Sequence, residues 1–359
     1  MPCSFLTPFI NRVIDDPGLA YTGATSEGEA VGISFGAYLA GSRTVTMCQN
    51  SGLGNMVNPL TSLNYPFRVP TLLITTWRGE PGVADEPQHE QMGRIMHRLL
   101  DTLEIPWLPF PRGEAAIPGV LAEADAHMRE SQRPFALVMS KDSVAPNPLL
   151  PQPAHSRVGT TLTEHEDSSE RLTRTQALKL ILEELPGGEA IIATTGKTGR
   201  ELFTVADRPG HLYVVGGMGT ASAIGLGVAS TLPRQRVVVI DGDGAALMKL
   251  GSLATIGWQQ PANLLHIILD NEAHDSTGGQ RTAAGVTRFA AVGAAANYRT
   301  AIFAVRPEDI SQAIRAAVAE PGPTLLHIKI RLGSPENLGR PTIAPHEVKE
   351  RFMAFLQST

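Results

Sequence analysis

The run V-V-V-I-D-G-D-G-A-A, Val237 to Ala246, constrains this chain more than any other feature. Four β-branched apolar residues in succession read as a strand buried on both faces, the signature of a parallel sheet. The run breaks at G-D-G into a tight turn that opens a helix. Glycines let the backbone approach a ligand closely, and the helix start offers unpaired N–H groups to anionic oxygens. Asp243 adds a carboxylate suited to a hard cation such as Mg2+, which keeps phosphate and water oxygens as its other ligands. A second apolar strand, Leu264 to Leu269, ends at Asp270-Asn271, so an amide oxygen follows Asp243 after 28 residues. Two neighbouring strand ends can thus grip one metal-diphosphate group.

The same alternation of short apolar strands and helices runs through the whole chain. In the first half, strands are expected near Thr44–Met47, Thr71–Thr75 and Phe135–Met139, with helices at Glu27–Leu39, His89–Leu103 and Ala115–Arg129. In the second half, strands are expected near Ala190–Thr194, Leu212–Val215, Val237–Ile240, Leu264–Leu269 and Thr324–Ile330. Helices there are Thr173–Glu184, Ala221–Ser230, Pro307–Ala319 and a terminal one near Pro345–Leu356. Such alternation predicts an α/β protein with two doubly wound parallel sheets, each covered on both faces. The 359 residues suffice for two domains. The proline-rich, then acidic and hydroxyl-rich, stretch between the halves cannot sustain a helix or an inner strand. It places a linker at 144–170, between domains at 1–143 and 171–359.

A net charge of −5 with 18% charged residues leaves no basic field for nucleic acid. No apolar run approaches a membrane span. The N-terminus lacks the basic start and apolar core of a signal peptide, and Cys3 and Cys48 form no metal-binding pattern. A reducing cytoplasm is the expected setting.

Three further motifs open helices. Val214 to Ala229 is glycine-rich after a strand, like a dinucleotide site. The acidic residue expected at the end of the following strand is Asp241, which is already committed to the G-D-G turn. Close helix–strand packing is the other reading. Thr195, Gly196, Lys197 and Thr198 follow a strand and could donate to a phosphate, or simply cap a helix, and they lack full P-loop spacing. Glu27 starts an otherwise apolar and small-residue helix, where a carboxylate commonly just offsets the helix dipole.

Taken together, these pieces resemble the thiamine diphosphate-dependent 2-oxoacid decarboxylases along nearly the whole chain. The order would be pyrimidine-binding domain, linker, diphosphate-binding domain. The resemblance implies that Glu27 hydrogen-bonds the cofactor's aminopyrimidine and so activates its nucleophilic carbon. It implies that the Gly216 carbonyl accepts from the 4′-amino group and that Met218 wedges the cofactor into its bent shape. Gly217, Gly242, Gly244, Ala245 and the 195–198 loop would complete the cofactor site. Asp243, Asn271 and the Ala273 carbonyl would hold Mg2+. Active sites in this family lie between subunits, so a homodimer or homotetramer is expected.

The substrate signal comes from Asn271–Thr282 and Thr76–His89, which are similar to segments of the phosphonopyruvate decarboxylases, a branch without a middle domain. The resemblance implies loss of CO2 from 3-phosphonopyruvate, a small 2-oxoacid. A sulfopyruvate decarboxylase, a carboligase, and a non-catalytic cofactor-binding subunit are the alternatives. A phosphonate dianion needs several donors and a balancing cation. Arg78, Ser276, Thr277, Gln280 and Arg281 are the candidates. His89, His274 and Asp275 are candidate proton shuttles.

Overall fold

The computed structural model describes residues 3–167 and 170–358. Ser168 and Ser169 of the expected linker lie outside the described residues. The chain divides into two compact units, one of Met1–Phe35 and Arg43–Ala154, the other of Gly36–Ser42 and His155–Thr359.

In the first unit, β1 (Val45–Gln49), β2 (Leu72–Thr76), β3 (Trp107–Pro109) and β4 (Phe135–Met139) form one sheet in the order β1-β2-β4-β3, with every pairing parallel. Strand β4 shows why both faces must be covered. Its alternate residues Ala136 and Val138 join a core with Leu73, Met96 and Leu100. Phe135, Leu137 and Met139 join a second core with Leu6, Ile10 and Ile74. Side chains on a strand alternate between faces, so an all-apolar strand requires a layer of helices on each side. The helix Thr7–Asp15, with Leu6 just before it, and the helix Glu90–Thr102 supply residues to these two layers.

The second unit holds a seven-stranded sheet and a two-stranded ribbon. The strands are β5 (Thr161–Glu164), β6 (Ala190–Ala193), β7 (His211–Tyr213), β8 (Val237–Gly242), β9 (Leu264–Asp270), β10 (Ala273–His274), β11 (Gln280–Arg281), β12 (Thr300–Ala304) and β13 (Thr324–Lys329). The large sheet runs β5-β12-β13-β9-β8-β6-β7 and all its pairs are parallel. Every residue of β9 is buried, and so is the helix segment Ala221–Ala229, whose Gly225 lies against Val239. Thr173 caps the helix Arg174–Glu184 through a reciprocal pairing with Gln176.

The linker expectation needs one correction. Residues 161–164 form β5, which pairs with β12 at the sheet edge. Its residues are largely exposed, and an edge strand needs only one hydrogen-bonded neighbour. A polar T-L-T-E run therefore suffices where an inner strand would not.

Candidate functional site

In the large sheet the chain runs from β6 out to β7, then returns to the other side of β6 as β8. The strand order thus reverses between β6 and β8. Open parallel sheets bind ligands outside the strand C-termini at such a reversal. Four segments meet there. A Cβ on Gly196, whose φ is +98°, would lie 3.1 Å from Ser276 Oγ. One on Gly244 would lie 2.9 Å from the His274 ring, and one on Gly219 2.8 Å from the Ala245 carbonyl. The glycines therefore let the β6 loop, the β7 loop, the G-D-G turn and the segment after β9 close on one another.

Within this crevice Thr195, Gly196 and Lys197 are half-buried and Thr198 is buried at the start of the helix Lys197–Val205. Gly216 and Gly217 both have positive φ, 64° and 48°, so the β7 loop turns sharply. Val215 and Met218 beside them are 43% and 49% exposed, large apolar side chains at the crevice with little protein cover. Gly242 ends β8, and Asp243 begins the helix Asp243–Met248, which also carries Gly244 and Ala245.

Asp243 is 4% exposed and accepts a hydrogen bond from the Thr282 hydroxyl at 2.5 Å. Burial pushes its carboxyl up, the Thr282 hydroxyl pulls it down, and nearby Asp270 pushes it further up. A buried carboxylate with a hydroxyl and backbone amides as its donors is an environment that a cation would relieve. Asn271 is likewise buried, and the Ala273 N–H donates to its Oδ1 at 3.1 Å. A carboxylate, an amide oxygen and a backbone carbonyl make an all-oxygen set, which fits Mg2+ carrying phosphate ligands. The neighbours of Asn271 are pinned. Asp270 lies 2.8 Å from both His327 and Lys329, and Lys329 also donates to Glu272 at 2.8 Å. Burial pushes Asp270 up, yet the hydrogen bonds from His327 and Lys329 hold it below the usual carboxylate range. Glu272 adopts φ +61°, an uncommon conformation for its residue type.

Asp275 is not a free proton shuttle. Its Oδ2 accepts from Asn271 Nδ2 at 2.8 Å and from Arg174 Nη2 at 2.6 Å. His274 is exposed and packs beside Gly244. Ser276 is exposed, whereas Thr277 and Gln280 hydrogen-bond each other across the β10–β11 turn. Arg281 is 85% exposed and pairs with Glu272 at 3.3 Å. A cavity of about 420 Å3 is lined by Asn271, Glu272, Ala273, Arg171, Arg281 and Arg331, among others.

The first unit holds the remaining candidates. Glu27 begins the helix Glu27–Leu39, is 8% exposed, and accepts from Asn55 Nδ2 at 2.7 Å. Ser26 Oγ accepts from the Glu29 N–H at 3.3 Å, and Glu29 Oε2 accepts from both the N–H and the hydroxyl of Thr25 at 2.6 Å. Glu27 and Glu29 both stand in the first turn, where each offsets the helix dipole, but Glu27 turns its carboxylate to Asn55 instead of to the chain before the helix. His89 is buried and precedes the helix Glu90–Thr102. Arg78, a candidate substrate donor, is engaged within its own unit. Its guanidinium holds Asp85 by two hydrogen bonds of 2.8 and 2.5 Å, reaches Ser4 at 3.0 Å and lies over the Phe5 ring. The hydrogen bonds from Arg78 keep the Asp85 carboxyl far below its ordinary value.

Sequence reasoning missed Thr282, Arg174, Glu201, Asn55 and Asp85. Thr282 and Asp85 lay inside the two segments that carried the substrate signal, and Glu201 left a signal of its own. It sits in one helical stripe with Thr198 and Leu202, so a carboxylate faces the buried side of the helix after the β6 loop.

Comparison with known proteins agrees with this geometry. The family described as thiamine pyrophosphate enzyme, C-terminal TPP binding domain, matches residues 195–328. A phosphonopyruvate decarboxylase from Streptomyces viridochromogenes is 47% identical, over 99% of this chain and 90% of that one. Another from Streptomyces hygroscopicus is 46% identical over 99% and 89%. A sulfopyruvate decarboxylase from Methanosarcina acetivorans is 33% identical over 72% of this chain and 68% of that one. Among solved structures, a putative thiamin diphosphate-dependent enzyme from Mycobacterium smegmatis superposes with TM-score 0.71 at 12% identity, over 92% and 96% of the two chains, which shows the shared fold. With a thiamine diphosphate-binding fold in place and relatives 46–47% identical over 99% of this chain, the chain belongs to the phosphonopyruvate decarboxylases, within the thiamine diphosphate-dependent 2-oxoacid decarboxylases.

Proposed function

We propose that the protein converts 3-phosphonopyruvate and a proton to phosphonoacetaldehyde and CO2, using thiamine diphosphate and Mg2+. The observation that carries the substrate is 47% identity to a phosphonopyruvate decarboxylase over 99% of the chain, against 33% to a sulfopyruvate decarboxylase over 72%. When bound, the cofactor supplies a nucleophilic carbon and the electron sink for CO2 loss. The chain's own residues bind and orient. Asp243, Asn271 and the Ala273 carbonyl would hold the cation, and the 195–198 loop and the G-D-G turn would offer N–H and hydroxyl donors to the diphosphate. Glu27, kept in place by Asn55, holds one proton at the aminopyrimidine ring. Exposed Met218 would pack against the cofactor. His274, exposed beside the G-D-G turn, is the proton donor best placed in the second unit, with buried His89 the candidate in the first. Ser276 remains the least committed hydroxyl for the substrate's anionic groups. A first domain at 1–143 and a second that runs from β5 to residue 359, assembly as a homodimer or homotetramer, and a cytoplasmic setting belong to the same proposal. No helix among the described residues is long and apolar enough to cross a membrane.

Phosphorus NMR of purified protein with phosphonopyruvate, with and without thiamine diphosphate and Mg2+, tests the reading. Phosphonoacetaldehyde should appear only when both are present, and faster than sulfopyruvate or pyruvate is consumed in parallel. Preferential turnover of sulfopyruvate would overturn the substrate assignment. Ketol formation with added acceptor aldehyde would replace it with a carboligase.

A further inference from the structure

Arg174 is 5% exposed and Glu201 1%, both ionisable side chains in the interior of the second unit. Such groups are retained only when fully paired. Arg174 Nη1 donates to Glu201 Oε1 at 2.7 Å, and the Thr175 hydroxyl donates to Glu201 Oε2 at 2.7 Å. The other arm of the guanidinium, Nη2, donates to Asp275 Oδ2 at 2.6 Å, and that same oxygen accepts from Asn271 Nδ2. Glu201 sits one turn into the helix that begins at the β6 loop, and Asp275 lies in the segment after β9. One planar, rigid fork therefore ties the β6 helix to the segment that carries Asn271.

The consequence falls on the Asn271 carboxamide. Its two ends differ in chemistry, and only the oxygen can bind a cation. The Asp275 carboxylate accepts only, so it selects Nδ2. The Ala273 N–H donates only, so it selects Oδ1. Both partners demand the same orientation. Without Asp275 fixed in place, the Nδ2 side loses the acceptor that opposes a rotated amide.

We propose that Arg174 is a positioning residue for the cation site, holding Asp275 so that the Asn271 amide presents its oxygen. The proposal rests on the reading of Asn271 as a Mg2+ ligand. Groups that orient a metal ligand in this way commonly change metal affinity 10- to 100-fold when removed.

The experiment is calorimetric titration of thiamine diphosphate into apo-protein over a range of Mg2+ concentrations, with no substrate present, alongside thermal melting of the apo-protein. The Arg174→Met variant should raise the Mg2+ needed for half-maximal cofactor binding by about 10- to 100-fold. Arg174→Lys, which keeps the charge but loses the planar fork, should fall between it and the wild type. Should Arg174→Met fail to fold, Asp275→Ala decides, because it leaves the Arg174–Glu201 pair intact. It should show the same rise, and the double variant should add little to either single one. A merely structural role would lower the apo melting temperature and leave the Mg2+ requirement of the folded protein unchanged. A folded Arg174→Met or Asp275→Ala protein with the wild-type Mg2+ requirement overturns the proposal. Wild-type protein that binds thiamine diphosphate without any Mg2+ dependence sinks the ligand reading beneath it.

Discussion

Asn55 Nδ2 donates to Glu27 Oε2 at 2.7 Å, joining the start of one helix to the middle of another. Gly52 makes room for this contact, since a Cβ there would lie 2.5 Å from Glu27 Cγ and Oε1. A buried carboxylate fixed at one oxygen is set to make one directed hydrogen bond with its other oxygen. Glu27→Ala should leave cofactor binding largely intact and slow decarboxylation by roughly 10²- to 10⁴-fold, the usual range for a general acid–base partner. Near-normal turnover by that variant would remove Glu27 from the mechanism. Asn55→Ala should give a smaller loss of the same kind.

Asp243→Ala should abolish Mg2+-dependent retention of thiamine diphosphate, because it removes the carboxylate of the oxygen set. Isothermal calorimetry with and without Mg2+ checks this directly. Cofactor affinity equal to wild type would show that Asp243 is no metal ligand.

Arg78 separates a structural from a substrate role. Arg78→Met leaves half-buried Asp85 without its cation, with only the Gly79 and Glu86 N–H groups still donating to it. The melting temperature should fall, and Asp85→Asn should lower it as well. A variant with unchanged melting temperature but a much higher KM for phosphonopyruvate would restore Arg78 to the substrate site.

His211 makes a prediction about acid stability. Burial lowers its pKa from the ordinary 6.5 to about 4, with the Ala206 carbonyl opposing and Arg208 adding to the fall. Asp207 and Arg351 also face it, with opposite effects. Between these values the unfolded chain takes up a proton that the folded one refuses. Stability from this group is therefore complete above about pH 6.5 and drains away as pH falls to about 4. The loss amounts to an order of 3 kcal/mol at the acid end. Urea melts of His211→Gln should show a flatter pH dependence across that window. Equal slopes for variant and wild type would contradict a buried neutral imidazole.

The sequence by itself determined the elements whose signals are local. The helix Glu27–Leu39 and the strand Phe135–Met139 lie where their apolar patterns placed them. The strand ending in G-D-G runs two residues further than its apolar stretch, to Gly242, because Asp241 is held inside the sheet by His266 at 3.1 Å. Strands β3, β5 and β12 were not legible, since short strands at or near sheet edges owe their conformation to a neighbour rather than to their own residues. The site divides in the same way. Asp243 and Asn271 announce themselves because glycine turns and strand ends are written in consecutive residues. The commitment of Arg78 to Asp85, and the links from Arg174 to Glu201 and Asp275 across 27 and 101 residues, are decided by the tertiary structure alone. A side-chain hydrogen bond has no sequence period. Which charged residue is free for chemistry and which is spent on holding the fold emerges only when the chain has brought its partners within 3 Å.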